Sequence, residues 1–356
     1  MFHKSIIIVV GLLLLTLSHQ LAGQIPPGYY NGTNQLTGVP LKAALHDIIK
    51  NHTPLTYSQL WQAFISTDAK QNGKVWDMYS DIPGGTPSYE YTFVSDQCGN
   101  YNSEGDCYNR EHSFPASWFD DQHPMYTDLF HIVPTDGYVN NRRSNFPFGK
   151  VGQASWTSTN GSKLGSSSTA GYSGTVFEPV DAYKGDFARE LMYMSTRYYQ
   201  EDSNWPGSDM TLGADLKAWA RTLLLQWHTA DPVSQKEINR NNAVYQLQNN
   251  RNPFIDHPEF AALIWDPSAS TDEIAGVKWH VWPNPATDDV SVSFDFIDYA
   301  SSNITITDLS GRVILIKDVS DDKALKLSLT ELSSGFYFLN LFTDGHYAGS
   351  QKLIKR

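Results

Sequence analysis

The sequence predicts an α+β protein in two parts, a mainly helical mixed domain followed by a small all-β antiparallel sandwich. Three observations carry this. Before residue 266, apolar residues recur at the 3–4 spacing of helix faces. After residue 289 they alternate with polar residues every second position. Between the two regimes lies DPSASTDEIAG, small and polar as linkers are.

The first element is a leader. Lys4 precedes the short apolar run SIIIVVGLLLLTL, and small residues follow with a cleavage point near Ala22 or Gly23. The run is shorter than the roughly 20 apolar residues a membrane span needs, so residues 1–23 are expected to be a secretory signal. Residues 24–266 are then the first domain, 267–278 the linker and 279–356 the β module.

Within the first domain, LKAALHDIIKNH (41–52) and TYSQLWQAFIST (56–67) read as helices. GKVWDMYSD and YEYTFV read as short strands. Residues 98–152 are loop-rich and polar, and the Ser/Thr/Gly tract 155–174 is a loop or weak hairpin. KGDFARELMYMSTRYY (184–199) places Phe187, Leu191, Met194 and Tyr198 on one helix face, with Asp186 stabilising the first turn. Two further helices follow over 214–232 and 234–254, then a short one over 257–265, with Asn252 as turn or N-cap chemistry. The β module carries DVSVSFDF, NITITD, RVILIK, ALKLSL, FYFLNLF and SQKLIK, about six short strands separated by turns.

At 356 residues the chain has room for two cores, and 40% hydrophobic with 13% aromatic residues suits a folded protein. Its formal charge of −12 weighs against gripping nucleic acid by bulk electrostatics, though an enzyme needs only a local basic strip. The only two cysteines, Cys98 and Cys107, flank a Gly/Asn-rich loop just short of Glu111, and in an exported protein they are expected to pair. They lack CxxC spacing and a second pair, so a zinc site is not expected.

Chemistry concentrates in two clusters, NREHSFP (109–115) and DLFHIVPTDGYVNNRRSNFPFG (128–149). Together they supply Glu111, His112, His131, Asn140, Arg142 and Arg143. A hard divalent ion takes a few protein oxygens and completes its shell with water. A neutral imidazole accepts a proton from water, and guanidinium forks suit phosphate oxygens. The set suits phosphodiester cleavage. Glu111 and His112 are adjacent, however, and neighbours in a regular strand face opposite ways. They can share a site where a strand ends irregularly, and Pro115 and the upstream loop both favour a break there. His131, flanked by Phe130 and Ile132, reads as a half-buried structural residue, and Asp136-Gly137 as a turn.

CYNREHSFPASWF, DLFHIVPTDGYVNNRRSNFPFG, KGDFARELMYMSTRYY and NRNPFIDHPEFAALIW, in this order over about 40–266, resemble the bacterial endonuclease I family of secreted DNA/RNA nucleases. The resemblance implies a ββα-metal (His-Me finger) core. His112 would be the general base, and Glu111 and Asn140 the protein ligands of one Mg²⁺, with Mn²⁺ or Ca²⁺ as alternatives. Products would carry 5′-phosphates. One departure concerns the phosphate-stabilising arginine that some members carry after the REH motif, because FDDQHPMYTD here contains none. Arg142 and Arg143 are the expected substitutes, with Arg110, Arg189 and His131 in supporting roles.

VWPNPATDDVSV, LSGRVILIK and the closing LSSGFYFLNLFTDGHYAGSQKLIKR resemble the C-terminal sorting domain of type IX secretion substrates. That implies a Gram-negative bacterium, the type IX machinery as partner, and a product released or held at the surface. DNA and RNA are the expected substrates, met through backbone contacts without strong sequence preference, by a protein expected to be monomeric. Two alternatives stand beside this: a non-enzymatic glycan-binding surface protein and a small-substrate phosphodiesterase. A protease is disfavoured, since neither HExxH nor GxSxG occurs.

Overall fold

The computed structural model describes residues 25–34, 36–266, 279–294, 302–308, 313–319, 324–343 and 346–356. The expected signal peptide and the linker 267–278 lie outside them. No helix among the described residues is long and apolar enough to cross a membrane. Two compact units form, one chiefly His46–Pro258 and the other chiefly Glu259–Arg356 with Asn31–Leu45.

The expected helices α1 (Gly38–Ile49) and α2 (Gln59–Thr67) come first. The loop-rich stretch then contains an ordered unit: β1 (Tyr108–His112) pairs antiparallel with β2 (Ile132–Asp136), and α3 (Gly137–Arg143) follows at once. The Ser/Thr/Gly tract is the hairpin alternative, since β3 (Val151–Thr157), β4 (Lys163–Ser167) and β5 (Thr175–Glu178) form one antiparallel sheet in that order. After α4 (Lys184–Arg197) come two-residue strands β6 (Thr211–Leu212) and β7 (Asp215–Leu216). Helices α5 (Ala218–Ala230), α6 (Gln235–Gln248), α7 (Pro253–Asp256) and α8 (Glu259–Trp265) complete the helical part.

Three expectations change. GKVWDMYSD and YEYTFV are not strands; they contribute only isolated bridges, Lys74 to Thr92 and Ala69 to Val75. The Asp77 carboxylate takes the Tyr79 N–H at 2.8 Å and the Asp136 N–H at 2.9 Å, so side chain-to-backbone bonding replaces a ladder there. Helix α4 is not one-sided: every residue from Gly185 to Arg197 is buried. Its charges survive burial because Arg189 pairs with Glu237 (2.5 Å) and Asp186 with Lys236 (2.5 Å). Asp136-Gly137 is a helix start rather than a turn, as Asp136 Oδ1 caps α3 by accepting from Val139 N at 2.8 Å.

The position of β2 is set from both sides. From α6, Arg240 donates to the carbonyls of Leu129 (2.8 Å) and Ile132 (2.9 Å) while pairing with Asp68 (2.8 Å). Gln248 accepts from Leu129 N at 2.6 Å and donates to Asp128 at 3.0 Å. From the α4 side, the Tyr193 and Tyr198 hydroxyls both donate to Asp128 Oδ2 at 2.9 Å. Asn249 in the left-handed region ends α6, and Asn252 caps α7 as expected.

Cys98 and Cys107 are bonded, with Cα atoms 5.2 Å apart. The loop they close rests on the start of α3, where Gly137 N donates to Cys107 O at 3.0 Å. A Cβ at Gly137 would lie 2.9 Å from Cys98 Sγ and 2.7 Å from the Tyr101 ring, so only glycine allows this approach.

In the C-terminal module, seven strands appear among the described residues: β8 (Trp279–Trp282), β9 (Asp289–Phe294), β10 (Ser302–Thr307), β11 (Val313–Asp318), β12 (Ala324–Ser328), β13 (Gly335–Thr343) and β14 (His346–Lys355). They form antiparallel sheets ordered β11-β10-β13-β14 and β12-β9-β8. Val290, Val292 and Phe294 from one sheet share a core with Ile304, Ile306, Leu339 and Leu341 from the other. This is the small sandwich that the alternation predicts.

Candidate active site

Strand β1 keeps its alternation to its last residue. Asn109 and Glu111 face α3, while Tyr108, Arg110 and His112 face the aromatic rings of Tyr57 and Trp61. The break expected at the strand end does exist, but it falls after His112. The carbonyls of His112 and Ser113 both accept from Arg143, at 2.9 and 2.7 Å. Successive carbonyls in a pleated strand point to opposite edges, so the chain leaves the pleat there. The side chains of Glu111 and His112 therefore reach the end of β1 from its two faces.

On the α3 face, residues three apart on the helix meet residues two apart on the strand. Asn140 Nδ2 donates to Asn109 Oδ1 at 2.8 Å, and Arg143 Nη1 donates to Glu111 Oε1 at 2.9 Å. Glu111 is 2% exposed, and its other bond, from the Tyr79 hydroxyl at 2.8 Å, also lands on Oε1. Burial pushes its carboxyl up to about 7, against the pull of Arg143 and Tyr79. One guanidinium offsets only part of the cost of this buried charge.

On the other face, His112 stacks on Tyr126 with centroids 5.0 Å apart and lies 5.4 Å from the His131 ring. Its Nε2 contacts the Tyr126 carbonyl at 3.3 Å. A carbonyl only accepts, so the proton resides on Nε2 and Nδ1 carries the lone pair. Burial, with His131 adding to it, lowers the His112 pKa to about 3, so the ring is neutral at physiological pH. Arg110 lies two residues earlier on the same face, 3.5 Å over the Tyr57 ring and 4.3 Å over Trp61, with Nη1 donating to Tyr57 O at 2.8 Å.

The remaining expected residues separate clearly. Arg143 is wholly buried and bonded to Glu111 and two carbonyls, so it holds the site and is not placed to receive a phosphate. Arg189 is also wholly buried, donating to Glu237 and to the Asp231 carbonyl. Arg142 is exposed, packed along the rings of Tyr138 and Trp156. His131 is fully buried, its Nε2 on the Met125 carbonyl at 2.8 Å, which is the structural role expected of it. Tyr79, Asn109, Tyr57 and Tyr126 were not anticipated. Only Asn109, at period two from Glu111, had a local signal.

For a hard cation the donor set is a carboxylate and an amide. Both bonds to Glu111 use Oε1, leaving Oε2, and the Asn140 amide is oriented by its Nδ2, leaving its oxygen. These oxygens suit a hard divalent ion whose shell is otherwise water. Among the described residues no three His, Cys, Asp or Glu side chains converge as a transition-metal cage would require.

A buried carboxylate and a neutral imidazole on a strand–strand–helix unit are the equipment of a hydrolase, and comparison with known proteins specifies which. Residues 37–259 match Endonuclease I, and residues 280–356 match the secretion system C-terminal sorting domain. The chain belongs to the endonuclease I family and is a hydrolase acting on nucleic-acid ester bonds, exported with a sorting tail. It is 33% identical over 247 residues to the extracellular ribonuclease of Bacillus subtilis (strain 168), covering 67% of this chain and 78% of that protein. The extracellular ribonuclease of Bacillus amyloliquefaciens is 35% identical with the same coverage. Endonuclease-1 of Buchnera aphidicola subsp. Baizongia pistaciae (strain Bp) is 27% identical over 129 residues, 36% of this chain and 46% of that one. Membership sets aside the non-enzymatic glycan-binding alternative.

Two stability results are expected. Arg143→Ala takes from Glu111 its buried cation and from two backbone carbonyls their donor, and costs roughly 3–5 kcal/mol, read by urea unfolding at pH 8; a loss below about 1 kcal/mol contradicts the clamp. Burial lowers His131 to about 4, so between pH 6.5 and 4 the unfolded chain binds the extra proton and stability falls with pH. His131→Gln is expected to remove a slope approaching about 1.4 kcal/mol per pH unit in that window. An unchanged slope in urea unfolding contradicts this.

Proposed function

We propose that the mature chain is a divalent-metal-dependent endonuclease of weak sequence preference, cutting DNA and RNA to products with 5′-phosphates. In this reading β1, β2 and α3 are its ββα-metal (His-Me finger) core. The observation that carries it is the contact of His112 Nε2 with the Tyr126 carbonyl at 3.3 Å, which leaves Nδ1 to act as a base at the end of a strand whose other face holds Glu111.

His112 Nδ1 takes a proton from the attacking water. Glu111 and Asn140 would hold one Mg²⁺, or Mn²⁺ or Ca²⁺ in its place. When bound, the ion neutralises charge on the scissile phosphate and on the departing 3′-oxygen. Arg143 keeps the Glu111 carboxylate aimed by gripping the backbone on which it sits. Arg110 is assigned the phosphate contact near the base, because it shares the His112 face and, among the described residues, its hydrogen bond to Tyr57 uses Nη1 alone. Exposed Arg142 meets a neighbouring phosphate. The names of the ribonuclease relatives favour RNA among the substrates. We further assign residues 24–266 to the nuclease domain, 267–278 to the linker and 279–356 to the sorting domain of a Gram-negative exporter, in a monomer released from or attached to the cell surface.

The test is digestion of plasmid DNA and total RNA by the mature protein. Cleavage with Mg²⁺ is expected to stop with EDTA and to fall about 100- to 10,000-fold in His112→Ala, with Arg110→Ala also impaired and both variants folded. Polymer left intact by folded native protein with Mg²⁺, Mn²⁺ and Ca²⁺ contradicts the reading.

A further inference from the structure

A cavity of about 440 Å³ opens beside the proposed site, lined among others by Ser117, Asn145, Phe146, Tyr172, Ser208 and Asp209. Its size lies within the range of small-molecule sites. Two of its walls grow from the catalytic unit: Ser117 follows the end of β1 and Asn145 the end of α3, and Asn145 Nδ2 donates to Ser117 Oγ at 3.4 Å. The cavity is therefore walled by the segments that leave β1 and α3.

Charge decides what that occupant is. No Lys or Arg lines the cavity among the described residues, whereas Asp209 contributes an exposed carboxylate. Behind the lining, Lys217 Nζ donates to the Ser208 carbonyl at 2.7 Å, so the cavity is not a cationic anion site, and the group that Asp209 offers an occupant is an acceptor for N–H donors. The carboxylate is held in place. Tyr172 OH donates to Asp209 Oδ2 at 2.8 Å, Trp219 Nε1 donates to the Asp209 carbonyl at 3.1 Å, and the Tyr172 and Trp219 rings stack at 4.5 Å with 8° between planes. Glycines make this arrangement possible. A Cβ at Gly174 would lie 2.1 Å from the Tyr172 hydroxyl, and one at Gly171 would lie 3.1 Å from Trp219 Cβ, at a φ of +84°.

We infer that this cavity receives one unpaired nucleobase of the strand being cleaved, guanine in preference to the others. It rests on the nuclease reading above. Unpaired bases are bound by aromatic side chains and by polar groups at their edges. Guanine presents two adjacent N–H donors to a single carboxylate, while adenine and cytosine offer one amino group each. The base stays tethered to a phosphate that Arg110 and the end of β1 receive, which favours a nucleotide over a free sugar.

Two readouts on the full mature chain separate the pocket from the chemistry. The first is cut-site sequencing on randomised single-stranded RNA, with native protein, Asp209→Asn and Gly174→Ala. The second is equilibrium binding of guanosine, uridine and ribose. Asp209→Asn keeps an acceptor for Tyr172 but turns an amino group towards the base. Expected are a guanine bias at one fixed position from the cut, saturable guanosine binding at least tenfold tighter than uridine or ribose, and loss of both in each variant. Cleavage without positional bias and without guanosine binding overturns the pocket and leaves the nuclease standing. Ribose binding as well as guanosine also overturns it. Guanosine binding that both variants abolish, in a protein that cuts nothing, supports the pocket and sinks the nuclease reading.

Discussion

The buried contact between Arg143 and Glu111 is the constraint around which the site is arranged. Burial of an ion pair costs several kcal/mol per ion and is offset only when the geometry is good and the remaining hydrogen-bonding groups are used. Here the guanidinium reaches Glu111 and two successive backbone carbonyls, so α3, the carboxylate and the end of β1 become one rigid piece. Everything near it serves to hold α3 in register. Asp136 caps the helix, the disulfide loop presses on Gly137, and Arg240, Gln248 and Asp128 fix the approach to β2. The carboxyl nevertheless stays raised to about 7, the condition of a buried acid that one cation only partly compensates. In the proposed reading, a cation at Oε2 would remove that residual cost.

The two faces of β1 divide the work. One carries hard oxygens, Glu111 and Asn140 above Asn109; the other carries nitrogen, His112 and Arg110 among aromatic rings. Burial keeps the imidazole unprotonated, and the nearby guanidinium groups of Arg110 and Arg143 act in the same direction. The division also suits a chain of net charge −12. In the proposed reading a polyanion would be held by a few aimed groups and not by a basic surface.

Much of this was legible in the sequence wherever local pattern and structure coincide. The period-two alternation from residue 289 becomes two sheets with one core, and the 3–4 spacing marks the helices. What local pattern misses lies in contacts across sequence. Arg143 is expected from the sequence to stabilise phosphate beside Arg142, but it is buried against Glu111, 32 residues earlier. Tyr79 sits in a stretch that reads as a strand, yet Asp77 binds that backbone and leaves Tyr79 free to meet Glu111. Arg189 lies on a helix whose apolar face suggested an exposed opposite side, and only Glu237 on α6 explains its burial. Glu111 and His112 keep opposite faces of β1, and the pleat breaks only after His112, which a Pro three residues after His112 signalled only approximately.

The most direct measurement is titration of the metal-free mature protein with Mn²⁺, followed by electron paramagnetic resonance, for native chain, Glu111→Gln and Asn140→Ala. One ion per native chain, bound at least tenfold more weakly in each variant while both remain folded, is the predicted result. Binding that is unchanged in both variants contradicts the assignment of β1 and α3 as the two halves of a metal site.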